Sequence, residues 1–169
     1  MTPNRIPSLT AFADVPPWVS NSLDQGFLQE STNARLSCHA ELPSDRSPFD
    51  VEAGRIRVLN SMSGPCVVID FAGVAALRMQ AWDGDGARGH ALASLGLQRN
   101  RLYEVTCSPW CDALAREGVW RDASTLRHFA CTFRLHVYEI AAEHVAWRLV
   151  DDTLAGALVR QRDGPADWR

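Results

Sequence analysis

An alternating run of apolar residues late in the chain is the feature that most restricts its fold. Between His128 and Val137 every second residue is apolar, and the series is Phe129, Cys131, Phe133, Leu135 and Val137. A period of two is typical of a β-strand with one buried face, because successive side chains of a strand point to opposite faces. The pattern predicts a strand over 128–137. A second strand over 138–150 is expected to pair with it as a hairpin, with a helical turn over 139–144 as the alternative.

Shorter β-rich runs predict further strands over 34–42, 55–59, 66–71, 76–82 and 101–106. The best helix signal begins at Ser108, which is placed as an N-cap before Pro109, and Gly118 is placed to end that helix. Short helical turns are expected over 91–96 and 153–159. Several strands with one or two short helices predict an α+β fold, mainly antiparallel sheet. We expect a single domain over 26–169, after an irregular lead-in over 1–25 that is rich in Pro, Ser and Asn.

Composition argues against several classes of function. The chain has 169 residues, of which 46% are hydrophobic and 22% charged, as in an ordinary globular domain. Its net charge of -3 argues against nucleic acid as a partner, since binding a phosphate backbone relies on a clustered excess of basic side chains. All 17 basic residues are arginine. The absence of lysine excludes Schiff-base catalysis and a P-loop.

The cysteines and the apolar runs indicate a cytoplasmic protein. Five cysteines, an odd number, stand at irregular spacing and no secretory signal is recognised before them, which argues against a disulfide framework. The longest apolar run, near 71–79, contains Arg78 and is too short to cross a bilayer, so no membrane association is expected. Cys111, close to the predicted helix N-terminus, is a candidate reactive thiol with a lowered pKa.

A series of short motifs lies between Gly89 and Ala142. It consists of Gly-His at 89–90, Tyr-Glu-Val at 103–105, Ser-x-Trp at 108–110, His-Phe at 128–129 and Tyr-Glu at 138–139. In order and spacing this series resembles a family of small uncharacterised bacterial proteins, over about a third of the chain. The resemblance implies a bacterial, cytoplasmic protein and brings no substrate with it. The chain departs from the family at Arg134-Leu135, where the family has a His-Asp pair, and at the Asp-Gly-Asp-Gly loop over 83–86.

The polar residues of these motifs form the candidate site, which consists of His90, Glu104, Ser108, His128 and Glu139. A histidine beside a carboxylate can perform general acid–base catalysis, and a serine beside a histidine can act as a nucleophile. Each residue also has a structural explanation. Ser108 is an N-cap, and His128 with Glu139 would be a cross-strand pair.

No metal and no cofactor are expected. A set drawn from His136, Glu139, Glu143 and His144, with or without Cys131, lacks the close ligand pair that is typical of zinc. The loop over 83–86 has serine at position 12, where an EF-hand needs glutamate.

Because no complete catalytic constellation is recognised, the sequence favours a non-enzymatic binding or interaction domain. Its partner would be another protein, in the manner of small bacterial immunity or accessory proteins. The alternative is a small hydrolytic or ligand-binding protein with a site around His90, Glu104 and His128.

Overall fold

The structure is a computed structural model that describes residues 6–16, 18, 25–40, 64–81, 90–120, 122 and 124–159. In these residues the chain forms two antiparallel β-sheets with short helices, which confirms the predicted α+β class. The elements, in chain order, are β1 (Ser8–Ala11), β2 (Gln25–Glu30), β3 (Asn33–His39), β4 (Gly64–Ala72), β5 (Ala76–Ala81), a 3₁₀ turn (Ala93–Leu95), β6 (Leu102–Thr106), α1 (Pro109–Arg116), β7 (Arg127–Thr132), β8 (His136–Ala142), β9 (His144–Asp152) and α2 (Leu154–Val159).

The two sheets share a bend. One has the strand order β1-β6-β7-β8-β5 and the other β2-β3-β4-β9. At this bend the chain passes from β4 into β5 and from β8 into β9. Strand β4 pairs with β9 on one side of the bend, β5 pairs with β8 on the other side, and both pairs are antiparallel. Gly73 lies at this bend with φ +65°, and a Cβ there would come within 2.6 Å of the Glu143 carboxylate. Only glycine fits such a position without strain.

The apolar core fills the space between the sheets. Leu36, Ile69 and Phe71 project from the four-stranded sheet, and Phe129 and Ile140 from the five-stranded sheet. The rings of Phe71 and Phe129 meet with their centroids 5.7 Å apart. Because side chains alternate along a strand, the neighbours of these residues in β7 and β8 point to the outer face of the five-stranded sheet. Helix α1 and the 3₁₀ turn pack on that outer face.

The predicted strand over 128–137 is interrupted. Strand β7 ends at Thr132 and β8 begins at His136, and the Phe133 N–H donates to the His136 carbonyl at 2.9 Å across the turn. Phe133 is buried against Trp18 whereas Leu135 is exposed. The alternation of apolar residues at Phe133 and Leu135 therefore belongs to a hairpin turn and does not reflect a continuous strand. The predicted partner strand over 138–150 is also divided, because the chain changes sheets at Glu143, and residues 139–142 are strand rather than a helical turn.

The expected irregular lead-in over 1–25 is partly ordered into the fold. Ser8–Ala11 form β1, which pairs with β6, and Trp18 is fully buried in the core. A four-residue strand is too short to show a clear alternation, so β1 could not be recognised from its residues. The strands predicted over 34–42, 66–71, 76–82 and 101–106 are confirmed as β3 to β6. The strand predicted over 55–59 and the loop over 83–86 lie outside the described residues.

Candidate functional site

Ser108 lies at the junction between β6 and α1. The residue before it, Cys107, has φ +52° in the left-handed region, and Ser108 itself is extended before the helix starts at Pro109. The backbone N–H of Cys111 donates to Ser108 Oγ at 3.3 Å, which confirms the predicted N-cap. Capping uses only a lone pair of the hydroxyl oxygen, so the hydroxyl proton remains free to donate elsewhere.

The hydroxyl of Ser108 is the first of three polar groups in contact. Its Oγ lies 2.8 Å from Nδ1 of His128 in β7, and His128 Nε2 lies 2.9 Å from Oε2 of Glu139 in β8. All three residues are buried. A nitrogen lone pair this close to a carboxylate oxygen would be repelled, so Nε2 carries the proton of the neutral ring. Nδ1 is then the acceptor, and the Ser108 hydroxyl donates to it.

Two further side chains contact the Glu139 carboxylate. Arg78, its direct cross-strand neighbour in β5, donates from Nε to Oε1 at 2.7 Å and from Nη2 to Oε2 at 2.9 Å. His90 Nε2 lies 3.4 Å from Oε1. The Leu92 N–H donates to His90 Nδ1 at 3.1 Å, which places the proton of the neutral His90 ring on Nε2. We call Arg78, His90, Ser108, His128 and Glu139 the buried network.

The contacts of Glu139 differ in quality. Its two bonds to Arg78 are bidentate and well aligned, which is the strongest geometry for a carboxylate. The Nε2 atoms of His90 and His128 are buried and lie at ion-pair distance, but neither forms an aligned hydrogen bond. Arg78 therefore fixes the orientation of the carboxylate, and the two imidazoles adapt to it.

Glu139 is ionised in this setting. Burial raises the pKa of its carboxyl, but the contacts with His128, His90 and Arg78 lower the pKa by more, so the net pKa lies well below its ordinary value. A carboxylate that stays ionised cannot serve as a proton donor near neutral pH. Its chemical role is to orient a neighbouring imidazole and to stabilise positive charge on it.

Trp110 and Arg78 lie on the more exposed side of the buried network. The Trp110 ring stands nearly perpendicular to the His128 ring, with centroids 4.9 Å apart, and the Arg78 guanidinium lies 4.3 Å from the centroid of the Trp110 ring. Trp110 is half-buried, and 37% of the Arg78 side chain is exposed. A reactant approaching Ser108 and His128 would meet this stacked pair.

The structure brings four of the five candidate residues together and leaves Glu104 apart. In the register of β6 and β7, Glu104 stands opposite Phe129, so it lies on the other face of the sheet from His128. There it pairs with Arg127 at 2.9 and 2.6 Å. The carboxylate beside His90 and His128 is Glu139 instead.

Sequence reasoning missed Arg78 and Trp110. In the sequence, Arg78 is noted only because it interrupts an apolar run. A charged residue between apolar neighbours in a strand nevertheless indicates which face of the strand carries polar partners. Trp110 was part of a motif, but its contact with His128 depends on how α1 packs against β7. No pattern of spacing reveals that packing.

The expectation of a lowered pKa at Cys111 is wrong. Burial raises the pKa of this thiol, and the contact with Ser108 offsets that effect only in part. Among the described residues, no group of three or more His, Cys, Asp or Glu side chains is arranged to hold a metal ion. Within the same residues, no helix has the length and apolar character needed to span a membrane.

Comparisons with known proteins found no matching family model, and no curated protein or solved structure gave a significant match. The resemblance of 89–142 to a bacterial family thus stays a prediction. Its main departure, Arg134-Leu135, falls in the exposed turn between β7 and β8, away from the buried network.

Proposed function

We propose that the protein is a small serine hydrolase that cleaves acyl esters or amides. Ser108 is its nucleophile, His128 its general base and Glu139 the carboxylate that orients the base. The observation that carries this proposal is the series of contacts from Ser108 Oγ to His128 Nδ1 and from His128 Nε2 to Glu139, at 2.8 and 2.9 Å. A nucleophile, its base and an orienting group in mutual reach are the requirement for activated-serine chemistry, whatever the fold.

The reaction follows from these positions. Ser108 Oγ forms a bond to the substrate carbonyl carbon while its proton passes to His128 Nδ1, and the resulting imidazolium faces the Glu139 carboxylate. The bond to the alcohol or amine then breaks, and the leaving group takes that proton from His128. Water attacks the acylated Ser108 with His128 again as the base, which releases the acid and restores the serine.

The backbone around Ser108 also suits this chemistry. Pro109 has no N–H and the Cys111 N–H donates to Ser108 Oγ, which leaves the Trp110 N–H as the donor of the first turn that would be offered to a substrate oxygen. Ser108 is also the N-cap of α1, so the positive end of the helix dipole lies beside the nucleophile and would favour negative charge that develops there.

A purely structural role would not call for this combination of groups. Capping α1 needs an oxygen acceptor and no histidine. A buried ion pair such as Arg78–Glu139 is seldom better for stability than apolar residues of similar volume. Two imidazoles beside one ionised carboxylate, with a hydroxyl on the far nitrogen of one of them, support a catalytic role over a structural one.

The experiment is hydrolysis of p-nitrophenyl acetate and butyrate by the purified chain. Ser108→Ala should lower the rate at least about 100-fold, because it removes the nucleophile. His128→Gln should lower it by about 100-fold or more, since a general base contributes that much. Ser124→Ala is the matched control, because Ser124 is exposed and its hydroxyl donates to Asp122, away from the buried network. Equal rates for the wild type and Ser108→Ala would contradict the proposal.

A non-enzymatic interaction domain is the second candidate, favoured by two exposed apolar side chains on edge strands. Met79 in β5 is 59% exposed and Leu149 in β9 is 51% exposed, and within the part of the chain that the structure describes each of these strands is paired on one side only. Exposed edge strands are common sites of association. The test compares proteins retained by the wild type with those retained by a Met79→Lys, Leu149→Lys variant. A protein retained by the wild type alone supports this candidate, and equal retention contradicts it.

A further inference from the structure

We propose that Arg78 is a positioning residue for this reaction, which fixes the plane of the Glu139 carboxylate and balances its negative charge beside His128. The inference rests on the proposed function and adds to it the residue that controls the base. Arg78 lies in β5, apart from all the motifs that the sequence singles out.

The geometry shows how Arg78 holds the carboxylate. Its place in the β5–β8 register puts it directly opposite Glu139, and both of its bonds reach separate oxygens of the same group. A planar guanidinium bound in this way fixes the plane of the carboxylate. Stacking on the Trp110 ring at 4.3 Å holds the guanidinium from its other side.

The charges around His128 show why this matters. Strand β8 contributes Glu139, β5 contributes Arg78, the segment before the 3₁₀ turn contributes His90, and α1 contributes Ser108 and Cys111. The positive charge of Arg78 lies directly against the negative charge of Glu139 and balances it. A lone carboxylate at 2.9 Å would favour the charged imidazolium, which has no lone pair to accept the Ser108 proton.

His90 cannot replace Arg78 in this role. Its Nδ1 is occupied by the Leu92 N–H, so its ring offers Glu139 a single proton at 3.4 Å without good alignment. Without Arg78, the negative charge of the buried carboxylate would be unbalanced. The set of His90, His128 and Glu139 would then take up one more proton, which these three groups would share. These would then titrate as a coupled unit with a raised midpoint.

The test uses three variants and two readings. Arg78→Met removes the charge at similar length, Arg78→Lys keeps the charge without the bidentate geometry, and Arg78→Met combined with Glu139→Gln removes both charges. The first reading is the pH dependence of p-nitrophenyl butyrate hydrolysis. The second is proton uptake by the histidine rings in nitrogen NMR, with exposed His144 as internal reference.

For Arg78→Met we expect the pH midpoint of both readings to rise by about one pH unit or more. The rate near pH 7 should fall about 10-fold and recover in more alkaline buffer. Arg78→Lys should keep the wild-type midpoint while its kcat falls, because the carboxylate is less well oriented. The charge-neutral double variant should return the midpoint to the wild-type value or below it. If Arg78→Met fails to fold, the charge-neutral double variant is measured in its place.

Arg127→Met is the matched control, because Arg127 forms a similar bidentate pair with Glu104 on the other face of the sheet. It should leave the midpoint unchanged. A rate that falls equally at every pH in Arg78→Met, with an unchanged NMR midpoint, would overturn the role of Arg78 and leave Ser108 as the nucleophile. Hydrolysis that is insensitive to Ser108→Ala would overturn the proposed function itself, whatever the titration shows.

Discussion

Ser108 Oγ lies 2.8 Å from His128 Nδ1 while it caps helix α1. The two residues are 20 positions apart in the chain and belong to different kinds of element. One hydroxyl group thus has two partners, because the oxygen accepts from the Cys111 N–H and the proton goes to the imidazole. The cap of α1 and the proposed nucleophilic role of Ser108 thus use different parts of the same side chain.

The two roles of Ser108 can be separated by substitution. Ser108→Ala removes the cap and should lower the free energy of unfolding by about 1 kcal/mol. Ser108→Asn keeps an oxygen acceptor for the Cys111 N–H and an N–H donor for His128 Nδ1, so it should retain more of the stability while losing ester hydrolysis. Urea denaturation measures the first effect and the p-nitrophenyl assay the second. A Ser108→Asn variant as unstable as Ser108→Ala would contradict the contribution of the cap.

Glu139 should matter far more for stability than Glu104, although each pairs with an arginine across neighbouring strands. Glu139→Gln leaves the Arg78 charge without its partner beside a buried amide, and should cost about 2 kcal/mol. That figure is below the cost for a fully buried pair because the Arg78 side chain is 37% exposed. Glu104→Gln breaks a half-exposed pair and should cost less than about 1 kcal/mol. Equal losses in urea denaturation would contradict the difference in burial.

Acid should destabilise the protein partly through Glu139. The pKa of this carboxyl is lowered in the folded state from its ordinary value of 4.5 by its contacts with His128, His90 and Arg78. A lowered pKa contributes stability that is present above pH 4.5 and is lost as the pH falls from there towards the folded value. The free energy of unfolding should therefore fall more steeply below this pH in the wild type than in Glu139→Gln. Parallel curves would show that Glu139 makes no contribution.

Much of the fold could be predicted from local patterns. The β-rich runs that became β3 to β6, and the Ser108-Pro109 start of α1, depend on residues within a few positions of each other. The turn after β7 was missed because Phe133 lies buried on the core side although it belongs to a turn. Its burial depends on Trp18, which is far away in the sequence.

The sequence predicted most of the residues of the site, but it did not predict which of them contact one another. Ser108, His128 and Glu139 carried motif and element signals, but the choice between Glu104 and Glu139 depends on which face of the sheet each residue occupies. That face is set by the register of β6 with β7 and of β7 with β8. Arg78 comes from a strand about 60 residues before Glu139, and only the β5–β8 pairing reveals the contact.

The cysteines should react in an order set by burial. Cys107 is exposed, and Cys111 is buried with a raised pKa. Burial also raises the pKa of Cys66, to about 11, and the pKa values of Cys38 and Cys131. Iodoacetamide near pH 8 should therefore modify Cys107 first in the native protein, because the thiolate is the reactive form and must be accessible. Peptide mass spectrometry identifies the site, and faster modification of Cys111 would contradict this order.

Covalent labelling with a fluorophosphonate shows whether Ser108 is an activated nucleophile. Attack by Ser108 Oγ on phosphorus displaces fluoride and leaves a phosphonylated serine, whose mass and position are read by intact and peptide mass spectrometry. We expect one added group, located on Ser108, and strongly slowed labelling in His128→Gln. Absence of the adduct, or an adduct on an exposed serine such as Ser124 with Ser108 unmodified, would contradict this expectation.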